Sequence, residues 1–202
     1  MFSVSYEPVV ILKFNAVKHL LVKGNRREFF TLKNYWKTID RKKQDSAQLL
    51  LSSIIASLVH TSLSTLHNVS LPRSRYLNLN PENKNLYTKL KNVEASSVDR
   101  TCSDPGFETV AAAYLKVFDD VITTIEERPS DVQPACDRLA AIGRLHRAKA
   151  SNIPNEAFEE MEEPFIHMVK EILQDRFNDK AEGLFRKFFQ FCLKYLLEGF
   201  NS

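Results

Sequence analysis

The chain has 202 residues, 44% of them hydrophobic, and a formal net charge of +3. That length fills one core without needing a second domain, and so small a charge makes no case for nucleic acid. Three cysteines, Cys102, Cys136 and Cys192, leave one over and stand at no metal-site spacing, which argues against disulfides and for a reducing, cytoplasmic setting.

Residues 1–45 carry ten Lys/Arg against four acids, yet residues 1–24 show no clean period. They read as a basic N-terminal extension ahead of a domain at 25–202, and a solvated face accounts for their charge more simply than contact with anionic lipid or protein. The stretch from Leu32 to Ile39 is predicted helical, with Leu32, Trp36 and Ile39 on one face, and Ala47 to Leu51 continues the apolar signal. The longest apolar run, Ala47 to Val59, is 13 residues long and broken by serines, too short and too polar to span a bilayer. From Ser52 the period dissolves into Ser, Leu, His and Thr, with Pro72 near the end. Residues 52–73 therefore read as an irregular insertion after the second helix, longer than an ordinary connection, that the domain does not need. Order resumes at Tyr76 and runs to Leu90.

The next helix is predicted to start after Asp104 as cap, with Pro105 at its first position. It turns Phe107, Val110, Ala111, Tyr114, Phe118 and Val121 inward and stops before Arg128-Pro129, because the residue ahead of a proline avoids the helical region. Ser130 to Leu145 forms a short helix leading to His146. Pro154 opens a long helix burying Phe158, Met161, Phe165, Met168, Val169, Ile172 and Leu173. A last helix follows Phe177-Asn178-Asp179, buries Leu184, Phe185, Phe188, Cys192, Tyr195 and Leu196, and is expected to end at Gly199. With five glycines and little β-branched alternation, the class is all-α.

His146 is the residue most open to chemistry. Leu139, Ile142 and His146 share one helical face, so an imidazole points where apolar side chains point. It needs a partner there, either as a hydrogen-bonded core histidine or as a metal ligand.

The order of features resembles the globin family, with intracellular invertebrate globins, nematode ones especially, and neuroglobin nearest in character. The resemblance runs from about Phe30 to Phe200 and is carried by "PENKNLYTKL", "SDPGFETVAAAYLKVFDDVI", "LAAIGRLHRA" and "LFRKFFQFCLKYLLEGF". It implies a globin fold of seven to eight helices around a haem pocket, and one haem b per chain with His146 as the iron's protein ligand. The other imidazole nitrogen should then donate to a carbonyl one turn earlier, with Ile142 the first candidate. Tyr87 falls where globins set a phenylalanine against the haem, and joining Leu51 directly to Ser74 restores the family's spacing to it. Val110 falls at the distal position, where His or Gln is usual, with Tyr114 one turn on and Leu51 contributing from the second helix. Ile153 and Phe158 complete the lining near His146. Ala113 replaces a basic residue that often reaches a propionate, leaving Lys89, Arg147 and Lys149 for that role. His19, His60, His67 and His167 fit no ligand role.

By that resemblance the protein binds oxygen or another diatomic gas for transport, storage, sensing or redox signalling, with a redox partner or a second copy of the chain as partner. Two alternatives belong to other classes. One is a haem enzyme turning over nitric oxide or peroxide, and the other is a haem-free helical interaction domain.

Overall fold

Among the described residues there are seven helices: α1 Arg26–Arg41, α2 Lys43–Ser64, α3 Pro105–Glu127, α4 Gln133–Lys149, α5 Asn155–Glu159, α6 Glu162–Leu173 and α7 Asp179–Phe200, with short 3-10 turns at Thr88–Leu90 and Gln174–Arg176. The structure is a computed structural model that describes residues 26–64, 88–90, 93, 98–149 and 153–202, and no strand occurs among them. The expected all-α class holds.

The boundaries of α3 follow from its sequence. The Asp104 carboxylate accepts from the amides of Gly106 and Phe107 at 2.8 and 3.0 Å, and Pro105 occupies the first turn, where an amide would have no intrahelical partner. The helix stops at Glu127, two residues before Pro129. Its buried residues, Phe107, Ala111, Leu115, Phe118, Val121, Ile122 and Ile125, recur at three and four. Val110 and Tyr114, expected inward, are half-buried at the edge of that stripe and pack against the core. At α7 the Asn178 side chain caps the Ala181 amide at 3.0 Å.

Three expectations are corrected. The helical pattern does not dissolve at Ser52, because α2 continues to Ser64 with Ile54 and Ile55 in the core. Its two buried serines are satisfied by backbone: the Ser52 hydroxyl donates to the Leu49 carbonyl in the same helix at 3.1 Å, and the Ser46 hydroxyl to that of Ile39 in α1 at 3.0 Å. A polar residue bonded back to its own backbone can sit on a buried face without breaking the helix. The helix thus extends to Ser64 and its residues Ile54 and Ile55 belong to the core, while 65–73 lie outside the described residues. The long helix expected from Pro154 is two helices, broken at Glu160–Met161. Pro164 is the physical reason: it has no amide to bond the preceding turn, and its ring would clash with the carbonyl four residues back, so it is tolerated only in a first turn. Finally, α7 runs past Gly199 to Phe200.

The helices pack in two groups that share one apolar cluster. α2 lies against α3 and α6, while α4 makes its most extensive contact with α7. Phe118, Phe165, Phe188 and Phe189 meet in the middle, with Phe118 and Phe165 centroids 4.6 Å apart. Trp36 reaches this group edge-on to Phe188 at 6.3 Å, and its indole nitrogen donates to Asp119 at 2.9 Å. Lys43 holds the same carboxylate at 3.0 Å, which ties α1, the start of α2 and α3 together. Among the described residues no helix is long and apolar enough to cross a membrane.

Candidate functional site

His146 stands in the last turn of α4, half-buried. Its Nδ1 donates to the Ile142 carbonyl at 2.9 Å, the partner expected from the sequence. That bond fixes the tautomer that leaves Nε2 with its lone pair outward, and Nε2 has no hydrogen-bond partner among the described residues. The ring meets Phe158 edge to face at 5.7 Å, and Phe158, on α5, meets Phe200 at 5.0 Å. α5 therefore has one identifiable task, to bring a buried aromatic ring against the imidazole.

The remaining site residues divide clearly. Ile142 and Ile153 are half-buried on either side of His146 in the chain. Leu51 on α2 is fully buried, and Val110 and Tyr114 flank the same apolar cluster from α3. The structure thus brings Ile142, His146 and Phe158 into contact, and places Leu51, Val110 and Tyr114 in the α2–α3 layer. Lys89 is exposed on the Thr88–Leu90 turn. Tyr87 lies outside the described residues, as do His19 and His67. His167 is exposed, as its place off the apolar stripe predicts. Arg147 is already engaged: its guanidinium donates to the Phe200 carbonyl at 2.9 Å.

The cysteines offer no reactive group. All three are buried and free. Burial pushes the Cys136 thiol up, against a hydrogen bond from Tyr195 that works the other way, and burial holds Cys192 well above the usual thiol range. A thiol kept protonated is a poor nucleophile and a poor metal ligand. Tyr195 is pushed up to about 12, first by burial and then by its contact with Cys136. Among the described residues no group of three or more His, Cys, Asp or Glu converges as a metal site would require.

The residues that sequence reasoning missed lie between α4 and α7. Gly143 and Gly199 are buried where the two helices touch backbone to backbone. The available signal was a small residue in each helix at the point of closest approach. In the sequence alone Gly199 reads as a terminator, because a glycine near a helix end has that simpler meaning.

The sequence pattern of the Globin family matches residues 74–196, well over half of the chain, and the chain belongs to that family. Twelve solved chains match it. One is the crystal structure of a hexacoordinated heme protein from an anhydrobiotic tardigrade, 20% identical, which pairs 89% of this chain with 97% of that one at a TM-score of 0.60. At that identity the likeness speaks for the fold. No curated protein sequence matches the chain.

Proposed function

We propose that this chain is a haem-binding globin in which His146 supplies the iron's protein ligand and a diatomic gas takes the opposite side. The observation that carries the reading is the His146–Ile142 bond, because it fixes the imidazole to its own helix and turns the second nitrogen away from it. The residues present fit the group. A neutral imidazole suits iron, and Phe158 gives it an apolar flank, with Ile142 one turn before it and Ile153 half-buried after it in the chain. One haem b per chain would supply an iron with one position for ligand exchange. The protein's part is to bind and orient it.

On the other side the candidates among the described residues are Leu51 and Val110, with Tyr114 beside them. Leu51 and Val110 carry neither a lone pair for iron nor a donor for a bound gas, so a donor must come from a hydroxyl such as that of Tyr87 or Tyr114. This reading gives a five-coordinate ferrous form, in contrast to the hexacoordinated tardigrade protein. Buried free thiols suit a reducing compartment, which supports a cytoplasmic protein engaged in oxygen binding or redox signalling.

Titration of the purified chain with hemin tests the reading. A Soret band that saturates at one haem per chain is expected, with a five-coordinate ferrous spectrum that carbon monoxide shifts at once. Val110→His should convert that spectrum to six-coordinate. A parent protein that is already six-coordinate would overturn the apolar assignment, and a chain that takes up no hemin would leave a haem-free helical domain.

A further inference from the structure

The bond to Ile142 fixes the His146 ring relative to α4 but does nothing to fix α4 relative to the rest of the molecule. Close to His146 two features do that, one on either side of it in the chain. Three residues before it, a Cβ on Gly143 would come within 2.0 Å of the Leu196 carbonyl oxygen and 2.7 Å of the Phe200 amide. From the other face, a Cβ on Gly199 would come within 2.0 Å of the Ala140 carbonyl oxygen. The neighbours are backbone and cannot turn aside, so the two helices rest on each other at the shortest range available. Immediately after His146, Arg147 donates to the Phe200 carbonyl at the open end of α7, where the last carbonyls lack intrahelical partners and the helix dipole favours a cation. Phe200 also reaches the imidazole through Phe158.

We infer that the last turn of α7 is the seat that aims the His146 imidazole, and that Arg147 is the positioning residue that locks α4 onto it. The inference rests on the reading of His146 as the iron's ligand. Arg147 acts through the helix and touches neither haem nor gas. Without it the glycine contact still sets the distance between the helices, but the turn that carries the ring is free to rock about that contact.

The test compares the full chain with Arg147→Ala and Arg147→Lys, Arg147 being exposed enough for its replacement to spare the core. Arg147→Ala should still take up one hemin, but the ferrous iron–histidine stretching band should shift and broaden. Hemin loss to a scavenging apoprotein should speed up about tenfold, the equivalent of about 1.4 kcal/mol. Arg147→Lys, which keeps one donor, should recover part of both effects. In hemin-free protein, amide exchange over residues 144–149 should rise in Arg147→Ala while that of α6 stays unchanged. An unchanged band, loss rate and exchange pattern in Arg147→Ala would overturn the inference and leave the haem reading standing. Retention of hemin by His146→Ala would strike the haem reading, and the exchange measurement would still judge the role of Arg147.

Discussion

The α4–α7 side and the α2–α3 side of this molecule are held together by different physics. Between α4 and α7 the contacts are directional: backbone on backbone at Gly143 and Gly199, Arg147 on the Phe200 carbonyl, Tyr195 on Cys136. Between α2 and α3 the directional bonds are confined to the start of α2, where Lys43 holds Asp119 and Gln48 reaches Glu108, and beyond them the groups α2 buries are mostly aliphatic, Leu49, Leu50, Leu51, Ile54 and Ile55. Aliphatic burial is non-directional and fixes volume, whereas hydrogen bonds and backbone contact fix orientation. On the proposed reading, a ligand imidazole must be aimed, whereas a gas-side wall need only be filled. Substitutions should therefore cost function on the first side and stability on the second.

The largest effect expected belongs to His146→Ala. Loss of an outer partner alone costs a metal site about 10–100-fold in affinity, so loss of the ligand itself should weaken hemin binding by more than about 100-fold. The Tm of hemin-free protein should move little, because the ring is only half-buried. His167→Ala, at an exposed position, should bind hemin like the parent. Hemin titration and thermal unfolding of the two variants give the contrast, and equal hemin affinity in both would remove His146 from the site.

On the other side Ile54→Ala should cost about 2–5 kcal/mol of stability, the range for truncating a buried aliphatic residue, and leave the iron's spectrum unchanged. Ile54 is 2% exposed and shares the core with α3 and α6. Excision of residues 52–64 would remove both Ile54 and Ile55 and should abolish folding. Urea unfolding measures the first and circular dichroism the second. A stable, helical excision variant would restore the view of this segment as dispensable.

The sequence showed most where one residue has one meaning. Asp104-Pro105 and Arg128-Pro129 bracket α3 because a cap and a pre-proline residue act locally, and His146 stood out because an imidazole on an apolar face requires a partner. The Ile142 bond follows from the globin resemblance, with helical spacing naming the carbonyl. What stayed hidden depends on groups that adapt to context. Ser52 in α2 looks like a break in the pattern until its hydroxyl is seen bonded to the Leu49 carbonyl in the same helix. Pro164 splits α5 from α6, yet the apolar period runs through it. The meeting of Gly143 with Leu196 and of Gly199 with Ala140 is tertiary, and no local rule pairs those positions.

Trp36→Phe sharpens the contrast at lower cost. The variant keeps a ring against Phe188 but loses the indole donor to Asp119. A hydrogen bond to a charged group contributes about 1.5–3 kcal/mol, and Lys43 still holds the carboxylate, so the loss should lie near the lower end. Burial raises the Asp119 pKa, but Trp36 and Lys43 outweigh it and the net position lies below the ordinary carboxylate value. A depressed folded pKa contributes stability above the unfolded pKa of about 4, and that stability is lost as pH falls through the folded value. The gap between Trp36→Phe and the parent should therefore be widest near pH 7 and shrink in acid. A gap that stays constant down to the acid limit would mean that Asp119 contributes nothing through this pair.

The smallest effect expected lies back on the α4–α7 side, in alkali. Tyr195 has a folded pKa of about 12 against an ordinary value of 10.0, so the native state keeps the phenol protonated after the unfolded chain has begun to ionise. A raised folded pKa contributes stability that is whole below the unfolded value and is lost as pH climbs through the folded one, which sets the window at about pH 10 to about pH 12. Tyr195→Phe keeps the ring against Phe191, 5.0 Å between centroids, and gives up only the hydroxyl. At pH 7 it should cost no more than about 0.5–1.5 kcal/mol, the worth of one ordinary hydrogen bond, and less if solvent replaces Cys136 as partner. Lys43, raised chiefly by its hydrogen bond to Asp119, and the two buried thiols add alkaline losses of the same sign. The informative quantity is therefore the difference between the two proteins in urea unfolding at pH 7 and at about pH 11. Tyr195→Phe should be the less stable at neutral pH and close the gap in alkali. Parallel losses in both would show that the phenol's burial is worth nothing to the α4–α7 interface, and would leave the glycine contact and Arg147 to hold it.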